Sequence, residues 1–556
     1  MCQQKSTSIY FILLTILQKR HCGSLDSSRQ PPVSHVQFQD GKRNSTSIPV
    51  QNRDDKMLTT TRFLHRLPTA ALYRLPRSLP GLFHTPRFNH TTPKNVESGA
   101  LWLHPAGGTI ERLNVAAKYA QLNFLTCLTI NSSLPLEPAH FEEALTHLYR
   151  KISPLRACFR WREGTLWVCE ALEPRLDFLV LKDSDVSAAF NKLLVQPFDN
   201  STEAPLWRTR LLPAAPGVPC LIPEIKEKFP HQYDFMFHIH HGLCDGLTVM
   251  VIFNTFLKLL EDVVSGAPIS KEQLGKFVSG EQTMAIEREV LKNLESRPED
   301  FQRMIDETVN TKFTPLLEQA FGTPEKKSFP AEYIITDLEP RLLQNFQDRC
   351  QSHGVTLNSG MTSVINTALV ELVADAGLER DVYSVTSRHP VNQRRYWKGN
   401  PITDLGNHMG AMSQTMQTPC HNRNTFWEYA KQFDSEFQRK LKDGYIFQER
   451  IIRSKILPKD YSHESFYSSP PAVVYDYMFS NILMPGIIEY GIGNKVQLTA
   501  TMYASNIANC EFSSMHALTW FRNRVLYSIM YASGRVSRST MQAFLSKIET
   551  VLNSLS

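Results

Sequence analysis

The segment from His240 to Gly246 reads His-His-Gly-Leu-Cys-Asp-Gly and concentrates groups that can do acid–base chemistry. Imidazole titrates near neutral pH, so a positioned histidine can take a proton from an attacking hydroxyl or amine and return it later. We therefore treat His241 as the candidate general base, with His240 and Asp245 as its companions.

The residues before this segment set one histidine apart from the others. Alternation along a strand puts Phe237, Ile239 and His241 on one face, with His238 and His240 on the other. A glycine follows at once and permits a tight turn with close approach of the backbone. His241 is therefore expected at the end of an apolar strand, facing inward where it could meet a substrate.

Each of these residues also has a purely structural interpretation. A buried histidine is more often a hydrogen-bonded core residue than a catalyst. Asp245 precedes an apolar helix and could be only its N-cap. His238, His240, His241, Cys244 and Asp245 could also bind a metal, but one ion would need ligands from both strand faces, and no partner motif is evident. We predict no metal, and alternation alone favours catalysis only weakly.

Periodicity predicts strands and helices on both sides of the histidine segment, so the expected fold class is α/β. The predicted strands are Leu122–Ile130, Thr165–Glu170, Phe178–Leu181, Asp234–Ile239, Tyr333–Thr336, Val382–Thr386, Val473–Phe479, Val496–Met502 and Val525–Tyr531. The predicted helices are Pro138–Lys151, Val186–Val195, Leu247–Asp262, Gln282–Leu294, Arg341–His353, Leu357–Ala376, Asn424–Leu441 and Arg538–Leu555. We predict two halves, residues 99–265 and 331–556, each with its own sheet, joined by a linker or helical insertion at residues 266–330.

Residues 1–98 are polar, proline-rich and aperiodic, and we expect a disordered leader there. Residues 57–94 contain arginines and no acid, which is typical of a mitochondrial presequence. An incidental bias in a disordered leader explains this slightly better, so the cytoplasm is the expected location and the mitochondrion the alternative.

The net charge is only +6 over 556 residues, without a basic stripe interleaved with aromatics, which argues against nucleic-acid binding. No apolar run is long enough to span a bilayer.

The segment from His240 to Gly246 matches the HHxxxDG signature, so the chain resembles the superfamily of condensation domains, alcohol acetyltransferases and polyketide-associated acyltransferases. Companion segments resemble that superfamily in the same order: Phe141–Phe159, Pro197–Leu212, Gly354–Leu369, Val391–Arg394, Leu405–Gly410 and Ser480–Asn481. The resemblance extends from about residue 101 to the C-terminus. The plant branch's DFGWG motif is absent, and Asn392-Gln393 stands where Asp-Leu is usual.

The resemblance implies two chloramphenicol-acetyltransferase-like domains that form a V, with a tunnel between them and His241 facing it. It also implies that Asp245 points away from the substrate and pairs with an arginine. Arg156 is the first candidate for this partner and Arg394 the second. Further motif positions, expected near the tunnel, are Gly246, Asn407, Ser480 and Asn481.

The function that the resemblance implies is an acyltransferase that moves an acyl group from a thioester to a hydroxyl or amine, with no covalent acyl-enzyme. Acyl-CoA is the expected co-substrate because the chain has no carrier-protein segment, and no bound cofactor is expected. Donation by a separate acyl-carrier protein is the alternative among enzymes. An inert condensation-like protein that binds acyl groups or lipids is the alternative from a different class.

Overall fold

The computed structural model describes residues 96–97, 100–182, 185–198, 204–213, 220–310, 313–323, 331–399, 403–458, 461–468, 472–483, 493–522 and 524–556. The predicted leader, with its targeting alternative, lies outside these residues except at its end. There Val96–Glu97 form a short strand that pairs with Ala100 and Leu101. The first strand thus begins ahead of residue 99, where the globular part was expected to start.

The elements of the described residues alternate between strands and helices, as an α/β chain should. The strands are β1 Val96–Glu97, β2 Ala100–Pro105, β3 Phe124–Ser132, β4 Ala157–Arg162, β5 Thr165–Ala171, β6 Phe178–Val180, β7 Trp207–Pro213, β8 His231–Ile239, β9 Lys276–Phe277, β10 Ala331–Leu338, β11 Val382–Asn392, β12 Asp404–Leu405, β13 Met409–Pro419, β14 Tyr475–Leu483, β15 Val496–Ala504, β16 Phe512–Phe521 and β17 Arg524–Ala532. The helices are α1 Gly107–Lys118, α2 Pro138–Lys151, α3 Val186–Leu194, α4 Gly246–Ser265, α5 Glu281–Glu295, α6 Pro298–Asn310, α7 Leu316–Phe321, α8 Pro340–Ser352, α9 Leu357–Asp375, α10 Phe426–Lys442, α11 Tyr445–Ile456, α12 His463–Ser468 and α13 Arg538–Leu555. Every strand and helix predicted from periodicity is present, with its ends shifted by at most six residues.

The sheet that carries the histidine segment has the strand order β15-β3-β8-β7-β6. Its central strand β8 is buried from residue 232 to residue 239. On one face of β8, the rings of Phe235 and Phe237 pack against Phe253 and Phe256 of α4, with ring centroids 4.7–5.2 Å apart. Close aromatic packing on a fully hydrogen-bonded strand makes a rigid support for the histidines at its end.

One strand of this sheet comes from the second half of the sequence. β15 pairs antiparallel with β3, so that Met502 lies opposite Cys127. The prediction that each half has its own sheet is therefore wrong. Without β15, the edge of β3 would leave a row of unpaired backbone N–H and C=O groups in the interior. Periodicity within a segment cannot show which distant strand completes that edge.

The other large sheet has the order β10-β17-β16-β14-β11-β13 and belongs to the second half. Helix α9 packs against helices α10 and α13. Every residue of α9 from Ser359 to Val370 is buried. A helix enclosed in this way needs small residues where neighbours approach. Gly360 is an example, because a β-carbon there would lie 2.5 Å from the Cys350 sulfur.

The segment between the halves is helical and packs on the second half. It contains β9, α5, α6 and α7, and β9 pairs in parallel with β12. Leu294 and Phe301 form an apolar cluster with Ile451 and Ile452 of α11. Helices α5 and α6 of this segment therefore pack against α11 of the second half. None of the described helices is long and apolar enough to cross a membrane.

Candidate active site

His241 begins a short 3-10 turn, His241–Leu243, just after β8. Its Nδ1 lies 2.6 Å from the backbone carbonyl oxygen of Cys244. Because a carbonyl oxygen can only accept, Nδ1 carries the proton and donates it, which leaves a lone pair on Nε2. Within the described ranges, no residue forms a hydrogen bond with Nε2. The turn therefore presents a neutral imidazole with its basic nitrogen free.

The surroundings of His241 keep the ring uncharged. Burial lowers the pKa of His241, and the hydrogen bond to Cys244 and the charge of Asp245 oppose this without cancelling it. The positive charge of Arg112 lowers the pKa further. Part of the residue remains accessible, and its ring meets Phe124 edge-on at 6.2 Å. At neutral pH this histidine is ready to accept a proton.

His240 and His238 lie on the face opposite His241, as the alternation predicts, and both contact the ring of Phe198. The Nδ1 of His240 accepts a hydrogen bond of 2.9 Å from the backbone N–H of Gly242. Burial lowers the pKa of His240 to about 3. The geometry gives His240 the task of fixing the turn, and Gly242 is required there because a β-carbon would lie 2.9 Å from its ring.

Asp245 both caps a helix and forms a buried ion pair. Its Oδ1 accepts from the backbone N–H of Thr248 at 3.0 Å, while its Oδ2 lies 2.5 Å from a guanidinium nitrogen of Arg394. Oδ2 also accepts from the backbone N–H of His408 at 2.9 Å. Burial raises the pKa of Asp245, but the charge of Arg394 and these hydrogen bonds outweigh it and lower the pKa overall. The carboxylate is therefore ionised, and both of its oxygens are engaged by these partners.

Arg156, the first candidate for the partner of Asp245, is engaged elsewhere. Its Nε lies 2.6 Å from the carboxylate of Glu170. It also donates to the backbone carbonyls of Tyr149 and Arg150 in the last turn of α2, at 3.2 and 2.7 Å. The first candidate is thus wrong and the second, Arg394, makes the pair. The C-terminal carbonyls of α2 attract this guanidinium, so Arg156 stabilises a helix end.

A turn from the second half holds the histidine turn in place. The side-chain nitrogen of Asn407 donates to the backbone carbonyl of His241 at 2.7 Å and lies 3.1 Å from its Nδ1. Thr248 Oγ1 donates to the carbonyl of Gly406 at 2.9 Å and accepts from its N–H at 3.0 Å. Gly406 has a φ of +124°, and a β-carbon there would lie 2.9 Å from the Phe277 ring. Only glycine fits this junction without displacement.

Two residues of this junction, Thr248 and His408, were not singled out in the sequence. Thr248 lies three residues after Asp245, the position whose N–H an N-cap side chain reaches, so capping rules could have found it. No local signal marks His408, since it contributes its backbone N–H from the other half of the chain. The unusual Asn392 is explained by its own contact, because its Oδ1 accepts from the backbone N–H of Arg394 at 3.1 Å.

The remaining motif positions are less closely involved. Gly246 is the first residue of α4, next to Asp245, and a β-carbon there would meet open space. Ser480 and Asn481 lie on β14, opposite Ala517 and Leu518, and neither forms a hydrogen bond with the histidine turn in the portion of the chain that the structure covers. In that same portion, no three His, Cys, Asp or Glu side chains converge as metal ligands would.

Comparisons with known proteins find similarity in structure and none in sequence. No family model matches the chain, and no curated protein matches it. The condensation domain of the Monacolin K polyketide synthase MokA has a TM-score of 0.59 at 14% identity, covering 82% of this chain and 97% of that domain. The TRI3 trichothecene 15-O-acetyltransferase from Fusarium sporotrichioides has a TM-score of 0.57 at 12% identity, covering 82% and 95%. The starter condensation domain of rhizomide synthetase RzmA, in complex with C8-CoA, has a TM-score of 0.55 at 15% identity, covering 82% and 94%.

Proposed function

Because the described part of the chain has the fold of condensation domains and related acyltransferases, we propose that it transfers an acyl group from a thioester to a hydroxyl or amine. The donor in this proposal is acyl-CoA, and His241 is the general base. The two halves form a V around a tunnel, and donor and acceptor reach His241 from its opposite ends. The fold supports acyl transfer in general, and the hydrogen bonds around His241 support its role as the base.

The proposed reaction needs one base and no covalent intermediate. Nε2 of His241 takes the proton from the acceptor hydroxyl or amine as its oxygen or nitrogen bonds to the thioester carbonyl carbon. The carbon–sulfur bond then breaks, and the proton on Nε2 passes to the leaving thiolate. Proton transfer of this kind typically contributes about a hundred- to ten-thousand-fold in rate.

The observation that carries the proposal is the hydrogen bond between His241 Nδ1 and the Cys244 carbonyl. It selects the tautomer in which Nε2 is basic. The buried pair of Asp245 and Arg394 and the Asn407 contact fix the turn from the other half of the chain. A purely structural histidine would be expected to use both ring nitrogens, so an Nε2 without a hydrogen-bond partner among the described residues favours the catalytic interpretation.

A direct test is a donor–acceptor screen of the purified full chain. Acetyl-, octanoyl- and palmitoyl-CoA are each incubated with a panel of alcohols and amines, and products are identified by mass spectrometry. Thiol release that depends on the acceptor is the expected result. If the protein transfers acyl groups only from thioesters of an acyl-carrier protein, the donor is the carrier protein and not CoA. Binding of acyl-CoA without turnover of any donor would support the inert alternative.

A further inference from the structure

Helix α1 lies against the histidine turn. It packs on the His241–Leu243 turn and also on helix α12. Lys118 and Tyr119 both donate to the carboxylate of Glu464, at 2.7 and 2.6 Å, and so connect α1 to α12. Arg112, in the middle of α1, is partly exposed and lies near Tyr467 and Glu511.

The guanidinium of Arg112 has no direct counter-charge among the residues that the structure describes. No hydrogen bond or ion pair joins it to any of them. Tyr467 and Glu511 are close enough to raise its pKa, against the effect of burial. The Glu511 carboxylate, however, is already paired with Arg453. Arg112 is therefore charged and not neutralised at contact distance.

Its neighbours cannot supply the missing charge, because they belong to a paired cluster. Arg388 and Arg453 both donate to the hydroxyl of Tyr475. Arg388 also lies 3.3 Å from Glu449, and Arg453 pairs with Glu511. With Arg112 the cluster holds three guanidiniums and two carboxylates, so one positive charge is left over. Because Arg112 is partly exposed, an anion from outside the chain can reach this spare positive charge.

We propose that Arg112 binds a carboxylate carried by the substrate, next to the atoms that react at His241. This inference rests on the proposed acyl transfer. A guanidinium matches a carboxylate in bidentate geometry, and it remains charged at any working pH. The phosphates of CoA are not the anion, because the pantetheine arm separates them from the thioester and α1 packs on the histidine turn itself.

The carboxylate has two sources, a second acid group on the acyl chain or an acidic acceptor. Glutaryl-CoA and pentanoyl-CoA form one matched pair, and a hydroxy acid and its methyl ester form the other. In one of these pairs we expect kcat/KM to be higher for the charged member than for the neutral one. Arg112→Gln should lower this ratio of kcat/KM values by about ten- to a hundredfold. Arg112→Lys should keep part of it. Lys118→Gln, which removes an exposed charge from the same helix, should leave it unchanged.

Two results would overturn the inference: the wild type favours the neutral member of both pairs, or Arg112→Gln keeps the full preference. If Arg112→Gln does not fold, the partial loss in Arg112→Lys decides instead. If no acyl-CoA is turned over, the proposed function fails separately. In that case the inference is tested by measuring the melting temperature twice, once in sodium glutarate and once in sodium chloride at the same ionic strength. A rise in wild type that Arg112→Lys reduces supports it, and no rise in wild type overturns it.

Discussion

At His241, one hydrogen bond determines what the side chain can do. The Cys244 carbonyl fixes the proton on Nδ1, and burial and Arg112 keep the ring neutral. The sequence identified this histidine and its strand face, because alternation is a local signal. It left the arginine partner of Asp245 open between two residues, since the pair joins positions 149 residues apart. It gave no indication of Arg112, whose importance lies only in what surrounds it.

The pH dependence of the reaction should report the lowered pKa of His241. A general base works when it is deprotonated, so kcat/KM should rise with pH through a pKa below the ordinary value of about 6.5. The charges facing the ring are Asp245, which raises this pKa, and Arg112, which lowers it. Arg112→Gln should therefore move the acidic limb to higher pH. A pH–rate profile that shifts to lower pH in this variant would contradict the electrostatic account.

Asp245→Asn should be clearly destabilising. Asparagine caps a helix about as well as aspartate, so a mere cap would tolerate the change. The variant instead leaves Arg394 buried without its counter-charge, which commonly costs about 3–5 kcal/mol. The free energy of unfolding in urea measures this loss.

A double-mutant cycle tests the pair itself. Asp245→Asn and Arg394→Gln should be strongly non-additive, because each alone leaves one buried charge unpaired. Asp245→Asn and Arg156→Gln should be additive, since Arg156 pairs with Glu170. Additivity with both arginines would reduce Asp245 to a helix cap.

At the scale of elements, local pattern predicted more than half of the structure. Helices Pro138–Lys151 and Arg538–Leu555 have the bounds that their apolar stripes predict. Strands β7 and β16 were missed because residues buried on both faces lose the alternation that marks a strand. Strand β13 was missed although its burial alternates, because its buried face includes the polar residues Gln414 and Thr418. Helix α11 was missed as well. The junction of the site was beyond prediction for another reason. It joins a turn near Gly406 to the start of α4, and only the folded chain shows that contact.

Gly406→Ala should disturb this junction. Alanine at position 406 would be held at an unfavourable positive φ, and its β-carbon would lie 2.9 Å from the Phe277 ring. We therefore expect the free energy of unfolding to fall by more than about 1 kcal/mol. Acyl transfer should fall with it, because Asn407 and His408 follow directly. Gly108→Ala is the control, since open space surrounds that position. Equal stability of the two variants would show that the turn is not a rigid support.

For the whole molecule, the most important feature is the exchange of strand β15 between the halves of the sequence. The strand itself is predictable, but its partner β3 lies more than 300 residues away along the chain, and no periodicity encodes that pairing. The exchange joins the two halves in one sheet, and the contacts of Arg394 and Asn407 join them again at the histidine turn. The fold class and the likeness to condensation domains were within reach of the sequence, because both depend on local pattern and short motifs.

Deleting residues 1–91 should leave a cooperative thermal transition and an active protein. The apolar clusters that the structure describes lie between Ala100 and Leu555. Deleting residues 1–105 is the matched control, since it removes β1 and β2 together with the buried Trp102 and should lower the melting temperature. Aggregation of the shorter deletion would show that the segment before residue 92 is needed for folding.

The role of His241 Nε2 as the general base can be measured by acceptor-dependent thiol release from acyl-CoA in His241→Ala. We expect a loss of about a hundred- to ten-thousand-fold in kcat, with the melting temperature nearly unchanged because the residue is partly exposed. His240→Ala, measured beside it, should lower stability more and kcat less, because the buried His240 ring fixes the turn. Full activity in His241→Ala would show that another group is the base.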